Sequence, residues 1–306
     1  MIVLYVVMTI AVAFFTVLYV LYDMIFKRKN RGANGIVKKF VKYDKFRESI
    51  RDNIRRIKEL EYETIKTTAS DGIGLAAKFY KLSENAPVAV FFHGYRSYAE
   101  FDGSYLFHIL RECGCSVLLV EQRAHSQSRA RSITFGVKES DDCVRWVDFL
   151  ANMLGASTRI ILCGMSMGAS TVMMASDADF RADVRGIIAD CGFYSPGEAI
   201  RHSIKMRGYP AGTTYFLARL AARIFAGFDP ESRTTGDSLS KSDIPILIIH
   251  GDEDKLVPYE MGMKNYNAAC SEKKLVTVRG AGHAVSGGVN PELYKGEIRA
   301  FLDKVL

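Results

Sequence analysis

The sequence predicts an α/β fold in which helices cover both faces of a mostly parallel β-sheet. Three observations support this prediction. From residue 88 onwards, short runs of apolar and often β-branched residues alternate with longer segments of helical periodicity. Before them, two strand-like runs flank the turn Ser-Asp-Gly at residues 70–72, which is typical of an antiparallel hairpin. The loops that carry the chain's polar and glycine-rich motifs directly follow predicted strands, where parallel sheets bind their ligands.

The chain begins with a long apolar segment. Residues 1–22 carry no charged side chain, and at about 1.5 Å per residue they would extend roughly 33 Å, enough to cross the hydrocarbon core of a bilayer. Four Lys and Arg follow within residues 27–31, and the positive-inside rule places the large C-terminal part in the cytoplasm. We therefore predict a single-pass membrane anchor over residues 1–26. A cleaved signal peptide is the alternative, although a basic start and a small-residue cleavage site are both missing.

The segment after the anchor holds the positive charge of the chain. The formal charge of the whole chain is +7, but residues 27–58 contain 13 Lys and Arg against 3 Asp and Glu, so the remainder is slightly acidic. Apolar residues recur there at three- and four-residue intervals, which predicts a basic amphipathic juxtamembrane linker over residues 27–60. Its apolar face could lie on an anionic leaflet or pack against the following domain. Nucleic acid is not an expected partner, since no aromatic-interleaved basic motif accompanies the charge.

The strands of the predicted sheet follow in order. The apolar runs at residues 88–92 and 160–163 do not alternate with polar residues, as expected for strands buried on both faces. We predict strands at residues 62–68, 75–82, 88–92, 116–121, 160–163, 184–189, 245–250 and 274–278, with helices at 98–112, at 137–154 and from Pro291. The six cysteines lie mostly inside these elements without paired CxxC spacing, which indicates buried thiols in a reducing compartment.

A serine lies on the turn between a strand and a helix. Residues 164–168, Gly-Met-Ser-Met-Gly, follow the strand at 160–163, and a helical pattern begins directly after them. Such a turn strains the serine backbone and presents its hydroxyl above the sheet. Glycines two residues before and after it allow the helix to pass close to the strand. This context predicts that Ser166 is a nucleophile.

Two further loops follow strands later in the chain. Residues 251–258 read Gly-Asp-Glu-Asp-Lys-Leu-Val-Pro, and residues 280–283 read Gly-Ala-Gly-His. Together with the serine turn they resemble the motifs of the α/β-hydrolase superfamily, over roughly residues 62–306 and in its order Ser, Asp, His. The resemblance implies the α/β-hydrolase fold, an enzyme without cofactor or metal, and a triad of Ser166, Asp254 and His283.

The chemistry explains why these residue types occur together. A serine hydroxyl attacks a carbonyl well only when a base removes its proton, and His283 can do this near neutral pH. Asp254 would fix the imidazole tautomer and stabilise the imidazolium. The resemblance also implies an oxyanion hole formed by the backbone N–H groups of Tyr95, after His93-Gly94, and of Met167.

Several other residues compete for these roles. Asp190 ends another strand and could act as the acid, but Asp254 matches the motif. Asp252 and Glu253 are interpreted as polar loop residues. Four further histidines are interpreted as structural or loop-shaping: His93, His108, His202 and His250. Residues 121–128 resemble a family loop whose glycines are replaced here by Ala124 and Ser126. The backbone conformation of this loop could therefore differ from that of the family.

More than fifty residues between Asp190 and Ile244 are not needed for the sheet. The resemblance implies that this insertion, about residues 192–243, forms a helical cap on a catalytic domain of residues 61–306. Its apolar residues could line an acyl pocket or pack onto the sheet. We predict a serine hydrolase of carboxylic esters, with lipid-like or acyl substrates favoured by the anchor. A peptidase, thioesterase or acyltransferase on the same triad, or a non-catalytic binding protein, are the alternatives, and the oligomeric state is left open.

Overall fold

The fold is described from a computed structural model of the chain, which defines residues 1–29 and 45–306. Its strands are β1 Glu63–Thr68, β2 Gly74–Tyr80, β3 Val88–Phe92, β4 Ser116–Glu121, β5 Arg159–Met165, β6 Asp183–Asp190, β7 Ile246–Gly251 and β8 Lys273–Val278. They form one sheet in the order β1-β2-β4-β3-β5-β6-β7-β8. The β1–β2 and β2–β4 pairs are antiparallel, and all other neighbours are parallel. The predicted hairpin and the mostly parallel sheet are confirmed.

Helices connect the strands and flank the sheet. In the described residues they are α1 Ile2–Ile25, α2 Arg47–Lys58, α3 Ala99–Asp102, α4 Leu106–Glu112, α5 Val137–Leu154, α6 Met167–Met174, α7 Pro196–Met206, α8 Ala211–Ala221, α9 Thr235–Leu239, α10 Tyr259–Ala268, α11 Ser286–Val289 and α12 Pro291–Val305. A π-helical turn, Ala222–Ala226, follows α8. The helix predicted at residues 98–112 is divided at Gly103, where an added Cβ would lie only 2.8 Å from the Ala99 carbonyl oxygen.

The sheet is covered on both faces. Side chains on one face pack with α5 and α6 in a cluster that includes Trp146 and Val172. Those on the other face pack with α4 and α12, through residues such as Leu110 and Ile298. All residues of β3, β4 and β7 are buried, which explains why their sequences do not alternate between polar and apolar residues.

The C-terminal turns of α1 pack against the helices inserted after β6. Leu18, Tyr22 and Phe26 are buried in a cluster with α7, α8 and the π-helical turn. The Phe225 ring lies 5.6 Å from that of Tyr19 and 5.5 Å from that of Tyr22, between ring centroids. The remaining N-terminal part of α1, residues 1–17, is exposed along its whole length.

The basic helix α2 packs against the sheet domain. Its apolar side chains Ile50, Ile54 and Ile57 are buried, the first two against Phe101 and the third in the cluster beneath the sheet. Its arginines face outwards. For α2 the structure therefore shows packing against the domain. The part of the predicted linker at residues 30–44 lies outside the described residues.

Candidate active site

Ser166 lies on the sharp turn between β5 and α6. Its φ of 55° and ψ of −117° place it in a backbone conformation that side-chain-bearing residues rarely adopt. A Cβ at Gly164 would lie 2.3 Å from the Gly168 carbonyl group, and one at Gly168 would lie 1.9 Å from the Phe92 carbonyl oxygen. Only glycine at both positions therefore lets α6 pass this close to β3 and β5.

We expect Gly168→Ala to prevent folding or to destabilise the protein strongly. The new methyl group would overlap a backbone carbonyl of β3, which cannot move without breaking its hydrogen bonds to the sheet. Overpacking of a core typically costs about 1–3 kcal/mol, and a backbone overlap should exceed this. Urea denaturation would measure the change, with Gly296→Ala as the control. No atom lies within 4 Å of a Cβ at Gly296 in α12, so that variant should be as stable as the parent or more so.

A chain of hydrogen bonds connects three side chains from the carboxyl ends of different strands. His283 Nε2 lies 2.9 Å from Ser166 Oγ, and His283 Nδ1 lies 2.7 Å from Asp254 Oδ2. The three residues follow β5, β7 and β8, so the parallel sheet brings them together although 117 positions separate Ser166 from His283. This arrangement can move a proton from the serine hydroxyl to the imidazole.

The carboxylate of Asp254 is buried and fully engaged. Its Oδ1 accepts hydrogen bonds of 2.9 Å from the N–H groups of Leu256 and Val257. Burial alone would raise the pKa of Asp254, but the charge and hydrogen bond of His283, with the contacts of His250 and Val257, hold it below the ordinary value. Asp254 is therefore ionised at neutral pH.

Acidic groups also set the protonation of His283. Burial alone would lower the pKa of this imidazole, but the Asp254 carboxylate outweighs it through its charge and its hydrogen bond. Asp190 and Asp102 act in the same direction from further away. The pKa of His283 is therefore raised above its ordinary value of 6.5, as suits a base whose protonated form is stabilised.

The loop after β3 lies against the serine turn. Met167 is the first residue of α6, so helix geometry leaves its N–H without an intrahelical acceptor. On the other side, the Gly94 N–H donates to Asp102 Oδ2 over 2.5 Å, and the Arg96 N–H donates to His125 Nε2 over 3.0 Å. These bonds flank Tyr95 and fix the path of the backbone beside Ser166.

Three residues near the site were not assigned to it from the sequence. Asp102 accepts hydrogen bonds from Gly94 and from Ser97, and burial raises its pKa to about 6. His250 Nε2 donates to the Val257 carbonyl and lies 3.5 Å from Asp254 Oδ2. His125 supports the loop after β3. No motif marks either Asp102, at the end of α3, or His250, which lies in β7 four residues before Asp254.

The competing acids do not contact His283. Asp190 Oδ1 accepts a long hydrogen bond of 3.4 Å from Ser286, and burial raises the pKa of Asp190 to about 6. Asp252 is exposed and accepts the Gly280 N–H over 2.7 Å, while Glu253 is exposed on the same loop. Among the residues of this loop, Asp254 alone reaches the imidazole.

The loop at residues 121–128 keeps left-handed backbone where the family pattern has glycine. Ala124 has a φ of 61° and Ser126 a φ of 42°, so the conformation that favours glycine persists without it. Arg123, between them and β4, is buried and forms two hydrogen bonds to Asp142, of 2.7 and 2.6 Å. A third bond, of 2.8 Å, reaches Asp71. This ion pair ties the loop to α5 and to the β1–β2 hairpin.

Two further features complete the site. Within residues 1–29 and 45–306, the group of side chains that could hold a metal ion is Cys191 with Asp254 and His283, and it coincides with the hydrogen-bonded acid and base. A small cavity, with room for about one water molecule, lies beside these side chains; apolar Phe101, Met165 and Ala284 line it together with polar Asp102 and Ser104. Met165 and Ala284 are the neighbours of Ser166 and His283 in the sequence, so the cavity lies next to the hydrogen-bonded hydroxyl and imidazole.

The family of the chain follows from a match to a known family model. The model described as the alpha/beta hydrolase family matches residues 89–294, which include all three triad positions. The chain belongs to the alpha/beta hydrolase family. The resemblance and the fold class inferred from the sequence are thereby confirmed.

Two proteins that match the chain in sequence are distant from it. The uncharacterized protein YqkD of Bacillus subtilis is 25% identical over 199 residues, which span 65% of either chain. YfhR of Escherichia coli K12 is 23% identical over 227 residues, or 72% of this chain and 73% of its own. The chain thus spans only about two thirds of the length of YqkD.

Solved structures share the hydrolase fold. The esterase Pf2001 of Pyrococcus furiosus has a TM-score of 0.64 at 21% identity, covering 82% of this chain and 95% of its own. Est1E of Butyrivibrio proteoclasticus with bound ferulic acid has a TM-score of 0.60 at 23% identity, with coverages of 79% and 98%. At these identities the likeness concerns the fold, and the activity is argued below from the site.

Proposed function

We propose that the protein is a serine hydrolase that cleaves carboxylic esters through an acyl-Ser166 intermediate. The observation that carries this proposal is the unbroken hydrogen-bond chain from Ser166 through His283 to Asp254. The strained serine turn and the ionised, buried Asp254 support it, because both are costly features that a purely structural loop would not need.

The proposed reaction has two halves. In the first, Ser166 Oγ attacks the ester carbonyl carbon while its proton passes to His283 Nε2. The N–H groups of Tyr95 and Met167 donate to the oxyanion, and collapse releases the alcohol, which takes the proton from His283. In the second, His283 removes a proton from water, the hydroxide attacks the acyl group, and the carboxylic acid leaves as Ser166 regains its proton.

A series of p-nitrophenyl esters from acetyl to palmitoyl, with matched anilides and thioesters, would test the substrate class. The proposal expects turnover of esters with kcat/KM rising towards longer chains, because a membrane anchor favours lipid-like substrates. Faster cleavage of the anilides would instead indicate a peptidase. No turnover of any substrate would favour a binding protein that retains this fold.

The pH dependence of hydrolysis should show an acid limb. His283 accepts the serine proton only when it is neutral, so activity should fall as the pH drops through the pKa of His283, with a midpoint above 6.5. In Asp254→Asn the raising charge is lost while burial remains, so the limb should shift to lower pH and kcat should drop by about 10⁴-fold. Glu253→Gln, on the same loop, is the control and should leave both unchanged. A limb that stays in place in Asp254→Asn would contradict the assigned acid.

We further propose that residues 1–26 are a retained membrane anchor, followed by a linker at 27–60 and a catalytic domain at 61–306 with its cap at about 192–243. Helix α1 is long and apolar enough to span a bilayer. Packing of Leu18, Tyr22 and Phe26 into the cap supports retention, since cleavage near residue 26 would expose this cluster. The basic residues after α1 favour a cytoplasmic domain.

Two measurements test the anchor. N-terminal sequencing of the membrane-bound protein should begin at or near Met1. Protease added outside sealed right-side-out vesicles should spare the domain; digestion would reverse the proposed orientation, and a mature chain starting after residue 20 would remove the anchor.

A further inference from the structure

The C-terminal turns of α1 join the exposed part of the helix to the cap. Residues 2–17 are exposed, whereas Leu18, Tyr22 and Phe26 are buried against the cap helices. A bilayer that surrounds the exposed part of α1 therefore has the cap at its surface.

Several hydrogen bonds hold the docked end of α1 to the domain. The Tyr95 hydroxyl donates to the Ile25 carbonyl over 2.7 Å, and an Arg96 Nη2 donates to the Met24 carbonyl over 2.9 Å. The Ile133 N–H donates to the carbonyl of Phe26 over 2.7 Å, and the Phe26 side chain is fully buried. Sliding the helix outwards would break all of these contacts and disturb the loop beside Ser166.

The helices of the cap carry exposed apolar side chains. Large side chains are exposed on α7, α8 and the connections next to them: Met206, Tyr209, Phe216 and Ile224. Phe216 is 65% exposed. Ile224 is the neighbour of Phe225, whose ring lies against Tyr19 and Tyr22 of α1. The apolar surface thus continues from the free part of α1 onto the cap.

The charge of the cap also suits a lipid surface. Residues 196–226 contain five Lys and Arg against one Glu. Arg201 is paired with Glu231, and Arg219 and Arg223 are paired with Asp229. Lys205 and Arg207 have no acidic partner within residues 1–29 and 45–306. Basic side chains next to exposed apolar ones are typical of segments that bind anionic leaflets.

We propose that the cap is immersed in the interfacial layer of the bilayer that α1 enters, with Phe216 and Ile224 among the inserted side chains. The occupant of this surface is an anionic phospholipid leaflet. The inference rests on the proposed anchor. It also narrows the substrate class, because an active site held against the leaflet by its own cap receives acyl lipids directly from the membrane.

Tryptophan variants of the full-length protein in vesicles that contain anionic, acyl-chain-brominated phospholipids would test the immersion. Bromine quenches an indole only when the two are close, and the native Trp146 is fully buried and common to all variants. We expect the emission added by Phe216→Trp and by Ile224→Trp to be quenched nearly as much as that of Val7→Trp. Leu82→Trp is the matched control, since Leu82 is 44% exposed. Its N–H donates a hydrogen bond to Ser116 at the start of β4, so it lies at the end of the sheet opposite to the active site.

The outcomes separate the claims. Suppose that Val7→Trp is quenched but Phe216→Trp and Ile224→Trp are quenched no more than Leu82→Trp. The anchor then stands and the immersed cap is overturned. A locally thinned bilayer, or a second copy of the chain that covers the cap, would give this result. If Val7→Trp is not quenched, the anchor fails, while the serine chemistry is untouched because the readout does not depend on turnover. The double variant Phe216→Asp/Ile224→Asp should lower hydrolysis of a vesicle-borne acyl lipid about tenfold without affecting a soluble butyrate ester.

Discussion

Replacing Ser166 with alanine should abolish ester hydrolysis while the protein remains folded. The hydroxyl of Ser166 is the nucleophile in the proposed reaction, and its side chain does not cap α6, so its loss should cost little stability. Removal of the nucleophile from a serine triad typically lowers kcat by about 10⁴–10⁶-fold. Turnover of a p-nitrophenyl ester and labelling by a fluorophosphonate probe would measure the loss.

The matched control lies one turn further along the same helix. Ser170→Ala removes a buried hydroxyl that donates to the Phe193 carbonyl over 3.0 Å, at a cost of about 1 kcal/mol in stability. This variant should keep its labelling and most of its turnover. Probe labelling that persists in Ser166→Ala would show that another residue is the nucleophile.

Replacing Arg123 with alanine should destabilise the protein by about 3–5 kcal/mol. The guanidinium of Arg123 is buried and hydrogen-bonded to Asp142 through two nitrogens, so its removal leaves the buried carboxylate of Asp142 unpaired. The loop of residues 121–128, which includes His125, would lose its attachment to α5. Urea denaturation of the detergent-solubilised protein would measure the change in the free energy of unfolding.

A surface pair of similar geometry provides the comparison. Arg185 Nε lies 2.7 Å from Asp183 Oδ2, but both side chains are more than 40% exposed. Arg185→Ala should therefore change the free energy of unfolding by about 0–1 kcal/mol. The double variant Arg123→Met/Asp142→Leu should recover part of the loss, because it leaves no buried charge unpaired. If Arg123→Ala and Arg185→Ala changed the free energy of unfolding equally, burial of the Arg123–Asp142 pair would not account for the predicted loss of stability.

The strands and the motif loops could be predicted from the sequence because their signals are local. An uninterrupted apolar run such as residues 88–92 is buried on both faces wherever it lies in a parallel sheet. The loops after β5, β7 and β8 are brought together by the topology alone. The glycines around Ser166 are likewise a local signal of the serine turn. The close approach of α6 to β3 excludes any Cβ at Gly168.

The contacts that depend on tertiary packing could not be predicted. Nothing in the sequence indicates that the end of α1 docks onto the cap, so the apolar cap residues were assigned to an acyl pocket or to the sheet. Some instead pack in the cluster around the end of α1, as Tyr215 shows, and others are exposed, as Phe216 shows. The hydrogen bonds from Gly94 and Ser97 to Asp102 likewise depend on how the loop after β3 lies against α3, which a helical pattern over residues 98–112 does not reveal.

Trapping the acyl-enzyme tests the central claim most directly. Full-length protein mixed with a slowly deacylated p-nitrophenyl ester and quenched in acid should gain the mass of one acyl group, and peptide mapping should place that group on Ser166. In His283→Ala the adduct should form far more slowly, because no base removes the serine proton. An acyl group on any other side chain, or ester turnover without an adduct in the parent protein, would contradict the account.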